Sequence, residues 1–303
     1  MFELWVPITI AAAFLQNVRS SLQKYLKGRM GTSGATMTRF IYAVPFAALY
    51  AYSLHTWGGF DWPTPNGRFL AYMMTGGLTQ ISATALLVYL FSFQNFAVGT
   101  TFSKTETVQA AIFGAVVLGD SLSIGALLAI FISLIGVVIL SVARESTMTL
   151  RTILTSWTGK PALIGLASGA CFGISAVSYR AASLSLGGEG FLMQAGFTLA
   201  CVTVFQTLVM TVYLLIREPA ELVRVLKSWR ISVWVGLSGM AASAGWFTAM
   251  TIQNAAYVRA LGQIELLFTF AVSLLFFKEK TNPKETIGIL LVCSGILILL
   301  LYV

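Results

Sequence analysis

Ten runs of about twenty mostly apolar residues fill the chain, each of the length an α-helix needs to cross the hydrocarbon core of a bilayer. They cover roughly residues 4–25, 35–55, 69–91, 95–118, 122–142, 161–183, 190–216, 231–252, 255–277 and 284–303. The polar interruptions between them have local causes. Lys27 to Ser33 brings charge and two glycines, Trp57 to Asn66 brings Pro63 and Pro65, and Gly187-Gly188 ends the sixth run. Pro161 and Pro283 stand where runs begin, which suits a residue with no amide proton to donate. The pattern predicts an all-α polytopic membrane protein with ten transmembrane helices.

The chain also repeats itself. Gln94–Leu140 recurs as Gln253–Leu299 at a constant offset of 159, without a gap. Only 8 of the 47 aligned positions are identical, and three of those are aliphatic residues that any two apolar helices share. The others carry the signal: Gln94-Asn95 meets Gln253-Asn254, Ala97 meets Ala256, Glu106 meets Glu265 and Gly136 meets Gly295, while Asp120 meets Glu279. A mid-helix glutamate, an acidic turn and a glycine in register point to two structural repeats with a site between them. The polar linker 144–160 then separates a first five-helix repeat, 1–143, from a second, 161–303.

Composition agrees with burial in lipid. Hydrophobic residues make up 57% of the chain and charged residues 10%, with a mean hydropathy of +0.83. Soluble domains carry roughly a quarter charged residues. Glu3 and the lack of a basic residue ahead of the first run argue for a retained first helix over a cleaved signal. Cys171, Cys201 and Cys293 lie inside apolar runs without metal-type spacing, and His55 stands alone, so neither a metal site nor a catalytic triad is expected. Phosphate-binding glycine loops, nucleophile elbows and HExxH are missing, so neither an enzyme nor a cofactor is expected. Of 19 Lys and Arg, 13 fall at helix ends or in loops opposite the termini, Arg68 falls on the terminal side and five lie within helices. This is the signature of a bilayer partner, not of nucleic acid, and by the positive-inside rule it puts both termini outside the cytoplasm.

The five embedded cations are Arg19, Arg39, Lys104, Arg180 and Arg259, and the embedded anions are Glu106 and Glu265. Such charges normally face protein or a water-filled cavity. Arg19 and Arg180 lie near helix ends and are expected to snorkel to the interface; Arg39 is balanced between a structural and a functional role. Lys104 and Glu106 are two residues apart and point to different sides of their helix, whereas Arg259 and Gln263 share a face. Each glutamate therefore needs a cation from another helix. One reading makes these ion pairs braces; the other makes an uncompensated glutamate a proton carrier. Gln16, Asn17 and Ser20 on the first helix, Gln80 and Ser82 on the third, and Gln94 and Asn95 on the fourth add polar groups that must be paired or hydrated. Together they outline a polar interior. Gly165, Gly169 and Gly173 form a doubled GxxxG face, read as helix packing. Trp57, Trp62, Trp157 and Trp229 read as interfacial anchors, and Trp246, amid Ala241 to Gly245, as core filling or a cavity wall.

Two five-helix halves, with Thr105-Glu106-Thr107-Val108-Gln109-Ala110-Ala111 leading to Leu118-Gly119-Asp120-Ser121-Leu122-Ser123, resemble the EamA-type drug/metabolite transporter superfamily. That family's fourth helix carries a Glu-Pro pair and ends in a Gly-Glu turn. Here Thr107 stands for the proline and Asp120 for the glutamate, and the second copy, Glu265-Leu266-Leu267 to Lys278-Glu279-Lys280-Thr281, also lacks the proline. The resemblance implies an inverted-repeat bundle, a central site, alternating access and cytoplasmic termini, the last against the charge count. It makes Glu106 and Glu265 shared features and leaves Lys104 and Arg259 as the residues of substrate choice.

The expected function is secondary transport of a small anionic or zwitterionic metabolite, an amino acid or organic acid. The substrate-binding candidates are Lys104, Arg259, Gln263, Gln16, Asn17, Gln80 and Trp246. Glu106, Glu265 and Arg39 are candidates for proton coupling or structural ion pairs. The alternatives are a proton-coupled exporter of lipophilic cations and a non-transporting membrane scaffold or sensor. A bacterial chain of this kind is expected in the plasma (inner) membrane; its oligomeric state is left open.

Overall fold

The computed structural model describes residues 3–90, 92–93, 101–144, 158–188, 190–275 and 283–302. Its helices are α1 Trp5–Lys27, α2 Thr32–Ile41, α3 Val44–Thr56, α4 Gly67–Leu90, α5 Glu106–Leu118, α6 Ile124–Arg144, α7 Lys160–Ser185, α8 Phe191–Arg217, α9 Pro219–Lys227, α10 Trp229–Ile252, α11 Ala255–Gly262, α12 Glu265–Leu275 and α13 Pro283–Tyr302. The described residues contain no strand. Gln94-Asn95, Ala97, Trp157, Glu279 and most of the linker lie outside them.

Among the described residues, five helices are long and apolar enough to cross a membrane: α4, α6, α7, α8 and α13. Helices α1 and α10 have the length, at 23 and 24 residues, but carry polar positions that turn inward. The predicted second helix is broken in two at Tyr42-Ala43. Pro45, near the start of α3, has no amide proton and its ring would clash with the carbonyl of Ile41. Pro161 and Pro283 open α7 and α13 as their positions suggest. Helix α9 was not foreseen. It is amphipathic and too short to span, and it locks two loops together: Glu221 accepts from the Gly31 amide at 2.7 Å and from Arg224, and Ser33 donates to Glu218.

Helices pair closely where side chains are small. Helix α1 lies along α10, where a Cβ on Gly245 would stand 2.8 Å from that of Ala12. Helix α4 lies along α7, with the Tyr179 hydroxyl donating to the Gly76 carbonyl at 2.8 Å and the Ser168 hydroxyl to that of Ala83 at 3.0 Å. Helix α6 crosses α13. A Cβ on Gly136 would stand 2.8 Å from the Gly288 carbonyl oxygen and the Val292 nitrogen; one on Gly295 would meet Ala129 O at 2.7 Å and also Ser133. Adding 159 to 129, 133 and 136 gives 288, 292 and 295, so the second contact is the first with the halves exchanged. Trp57 and Trp229 are exposed at helix ends, where a bilayer interface would meet them.

Candidate functional site

The helices predicted at 95–118 and 255–277 are both broken, immediately before the repeated glutamates. One break is at Lys104-Thr105, between helical residues 101–103 and α5; the other is at Gln263-Ile264, between α11 and α12. The offset is again 159. The turns tighten to i→i+3 bonds: Lys104 N to Thr101 O at 3.1 Å, Thr105 N to Phe102 O at 3.2 Å, Gln263 N to Ala260 O at 3.2 Å and Ile264 N to Leu261 O at 3.0 Å. Each glutamate thereby becomes the first residue of a helix, where the exposed amides and the macrodipole favour a negative charge.

Neither break contains proline, so tertiary contacts hold them. The GxxxG face of α7 lies against the first: a Cβ on Gly169 would stand 2.8 Å from Ser103 O and 3.3 Å from Glu106 N, and one on Gly173 3.0 Å from Ala110 N. The glycines serve packing within the chain, as expected. At the second break a side chain on Gly262 would collide with the ring of Trp246, which fills the elbow. The Asn17 amide donates to the Glu265 carbonyl oxygen at 3.0 Å from α1.

Between the breaks the charges cross from one half of the chain to the other. Lys104 is paired with Glu265, whose second oxygen accepts from Gln16 Nε2 at 2.9 Å. Arg259 Nη1 lies 3.8 Å from Glu106 Oε1, and its guanidinium sits 5.0 Å from the centroid of the Trp246 ring. Gln263 donates to the Thr107 hydroxyl at 3.2 Å. Glutamates that cannot use their own helix have found cations on another. These residues line a partly open void of about 10 Å³, room for about one water molecule. Trp246 Nε1, Arg259 Nε and Gln263 Oε1 are buried there without a hydrogen-bond partner. An orphaned buried group costs about 1–3 kcal/mol. The site is therefore closed on its own side chains but incompletely satisfied by them.

Seven of the expected residues, Lys104, Arg259, Gln263, Gln16, Trp246, Glu106 and Glu265, meet at this void, and Asn17 braces its wall. Arg39 and Gln80 do not join them. They line a second void of about 10 Å³ with Thr203, Gln206, Gly239 and Ser243. Arg39 Nη1 donates to Thr84 Oγ1 at 3.0 Å, and Gln80 Oε1 accepts from Gln206 Nε2 at 2.9 Å and from the Tyr179 hydroxyl at 3.0 Å. Arg39 therefore has no ion pair with either glutamate.

The two arginines expected at the interface are elsewhere. Arg19 is buried, 6% exposed, because it shares a face of α1 with Gln16 and Gln23, and that face turns inward. Arg180 caps the C-terminal end of α10, donating from Nη1 to Met250 O at 2.7 Å and Gln253 O at 2.6 Å, with Asp120 Oδ2 3.6 Å from its Nε. A cation there meets the negative end of the helix dipole. Sequence reasoning missed Arg19, Thr107 and Gln206. For Arg19 the signal was present in its spacing from Gln16; for the others a polar residue in an apolar helix was the whole signal.

A model of the EamA-like transporter family matches residues 159–301, which contain the second break with Arg259, Gln263 and Glu265. No curated protein matches the chain. A solved crystal structure of a protein 12% identical to the chain superposes with a TM-score of 0.70, over 98% of this chain and 96% of that one. At such identity the likeness concerns the fold alone, and it extends the fold over both halves. Residues 159–301, a little under half of the chain, thus resemble the EamA-like transporter family of the drug/metabolite transporter superfamily, and the long apolar helices make the chain an integral, multi-pass membrane protein.

Proposed function

We propose that the chain is a ten-span inverted-repeat secondary transporter that moves a small anionic or zwitterionic metabolite, an amino acid or organic acid, by alternating access. The observation that carries this reading is the pair of crossed ion contacts, Lys104 with Glu265 and Arg259 with Glu106, between two helices broken at the same repeat position. Broken helices around a mid-membrane site are the usual device of carriers. The exchanged contacts of Gly136 and Gly295 support the two-fold relation of repeats 1–143 and 161–303.

The chemistry follows from the pairing. Buried ion pairs gain little net free energy over their desolvation cost. A ligand that offers a carboxylate to Lys104 or Arg259, and an ammonium to Glu106 or Glu265, can replace them at small cost. Exchange of internal pairs for substrate contacts loosens the link between the halves, and release restores it. Both glutamates face cations, which weakens the case for either as an uncompensated proton carrier and with it the export of lipophilic cations. The plasma (inner) membrane is the proposed location if the source is bacterial.

The test is flux in proteoliposomes offered a mixed pool of labelled amino and organic acids, with and without a pH gradient. Accumulation of one component supports the reading, and its response to the gradient reports proton coupling. Silence from monodisperse protein refutes it.

A further inference from the structure

The four charges of the first void cancel. Two more cations lie beside them, in excess over the two glutamates. Arg19 is 6% exposed and Arg39 7%, and among the described residues neither has a carboxylate within ion-pair distance. Arg19 Nη2 reaches only the Ser20 hydroxyl, at 3.3 Å, and its Nε is buried with no partner; Arg39 reaches the Thr84 hydroxyl. Both stems flank Gly239, where a Cβ would stand 3.2 Å from Arg19 Cδ and 3.8 Å from Arg39 Cγ. Arg19 lies within electrostatic reach of Glu265 and Arg259, and Arg39 within reach of Arg19 and Arg259. The six groups therefore form one neighbourhood, with Lys104, Arg19, Arg39 and Arg259 against two glutamates.

The second void is the first one's neighbour along the same helices. On α10, Gly239 and Ser243 line the second void and Trp246 the first, at spacings of i, i+4 and i+7 that share one face and span about 10 Å at 1.5 Å per residue. On α1, Gln16 lines the first void, and Arg19, three residues on, lays its stem against Gly239, which lines the second. Two like charges held together in a membrane interior normally face a counter-charge, and the planar guanidinium fork matches a carboxylate.

Building on the transport reading above, we propose that Arg19 and Arg39 form a carboxylate-binding position, and that the substrate is an amino acid whose side chain ends in an acidic group. Its ammonium and α-carboxylate engage the balanced charges of the first void. Its side-chain carboxylate lies between the two arginines, with Gln80, Gln206 and Ser243 on the wall beside it.

L-Glutamate and L-glutamine are nearly isosteric and differ in the acidic group, so they isolate this position. Purified full-length protein, checked for monodispersity, is assayed for binding by equilibrium methods and for uptake in proteoliposomes with both, and with L-aspartate and L-alanine. Glutamate or aspartate is expected to bind at least about tenfold more tightly than glutamine, the scale of one charge-assisted contact. In Arg39→Gln and Arg19→Gln the preference for glutamate over glutamine, read as the ratio of their affinities in the same variant, should be lost. Arg39→Lys should retain part of the preference, since it keeps the charge but loses the fork. Equal binding of glutamate and glutamine by the wild-type protein overturns the inference without any variant having to fold. Transport of neutral amino acids alone overturns it while leaving the proposed function standing. Transport of no amino or organic acid defeats the proposed function as well.

Discussion

The pair formed by Lys104 and Glu265 is the sharpest place to test the site. In Glu265→Gln the shape and most hydrogen bonds persist, because Gln16 and Asn17 remain in reach. What is lost is the charge opposite Lys104, in a site where the side chains are 25% and 11% exposed. Removing one partner of a buried pair costs about 3–5 kcal/mol. Partial exposure of Lys104, and the second carboxylate nearby at Glu106, reduce this to roughly 2 kcal/mol by the same scale. For a chain of this size that shifts the unfolding midpoint by about 4 °C, at roughly 2 °C per kcal/mol. Lys104→Met should cost a similar amount. The double variant Lys104→Met with Glu265→Gln removes both charges and should regain most of the stability, since no uncompensated charge is then left in the site. A coupling of about 1–3 kcal/mol between the two positions is thus expected from a double-mutant cycle. The assay is thermal unfolding of detergent-purified protein, followed by uptake in proteoliposomes. Stability should return in the double variant, but transport should not, because the contacts proposed to exchange with substrate are gone. Additive effects of the two single changes would refute the pairing. Full transport by the double variant would refute its part in the cycle.

Three further changes test how the breaks and the bundle are held. Gly262→Ala pushes a methyl group into the Trp246 ring and should cost about 1–3 kcal/mol by overpacking; adding Trp246→Leu should relieve it, and a melting curve unmoved by the first change would show that the ring does not fill the elbow. Gly136→Leu drives a side chain into the Gly288 carbonyl and should separate α6 from α13, lowering the yield of monodisperse protein, and Gly295→Leu should do the same from the other side. A mild effect at one glycine and a severe one at the other would argue against equivalent contacts. Arg180→Leu removes two bonds to the end of α10 and leaves Asp120 without its cation, an expected loss of about 3 kcal/mol on the scale of a broken buried pair. Measured thermal stability should recover partly when Asp120→Asn is added, and no recovery would show the cap alone to matter.

Much of the site was legible because the chain states it twice. Glu106 and Glu265 stood out as acidic residues at one repeat position, and the two-residue spacing of Lys104 and Glu106 excluded a pair within the helix. A partner on another helix followed by elimination, and both glutamates have one. Gly136 and Gly295 recur because each lets its helix approach the other's backbone. The breaks at Lys104-Thr105 and Gln263-Ile264 were not legible. The first turn lies in a polar, Thr-rich stretch (101–107) and the second follows Gly262, but neither holds a proline, and the bends exist because α7 and Trp246 press on them from elsewhere in the chain. Arg39 was placed with the glutamates because a sequence gives the face of a helix but not the direction in which that face turns.

Arg19 shows how the same limit works in reverse. Nearness to a helix end favoured an interfacial cation, and a long side chain can usually reach water from there. The face it occupies decides otherwise. Gln16, Arg19 and Gln23 lie at i, i+3 and i+7, and a polar stripe of that spacing on a membrane helix has to face protein, since lipid offers it no hydrogen bonds. Once α1 turns that stripe toward α10, Gly239 leaves room for the arginine stem and Arg39 arrives from α2 on the other side. The charges that the first void balances between its own residues then leave these two guanidinium groups in excess, with no carboxylate at ion-pair distance among the described residues. On the proposal above, selectivity would rest less on the paired Lys104 and Arg259, which the repeat made conspicuous, than on a pair of arginines assembled from two helices that the repeat does not mark.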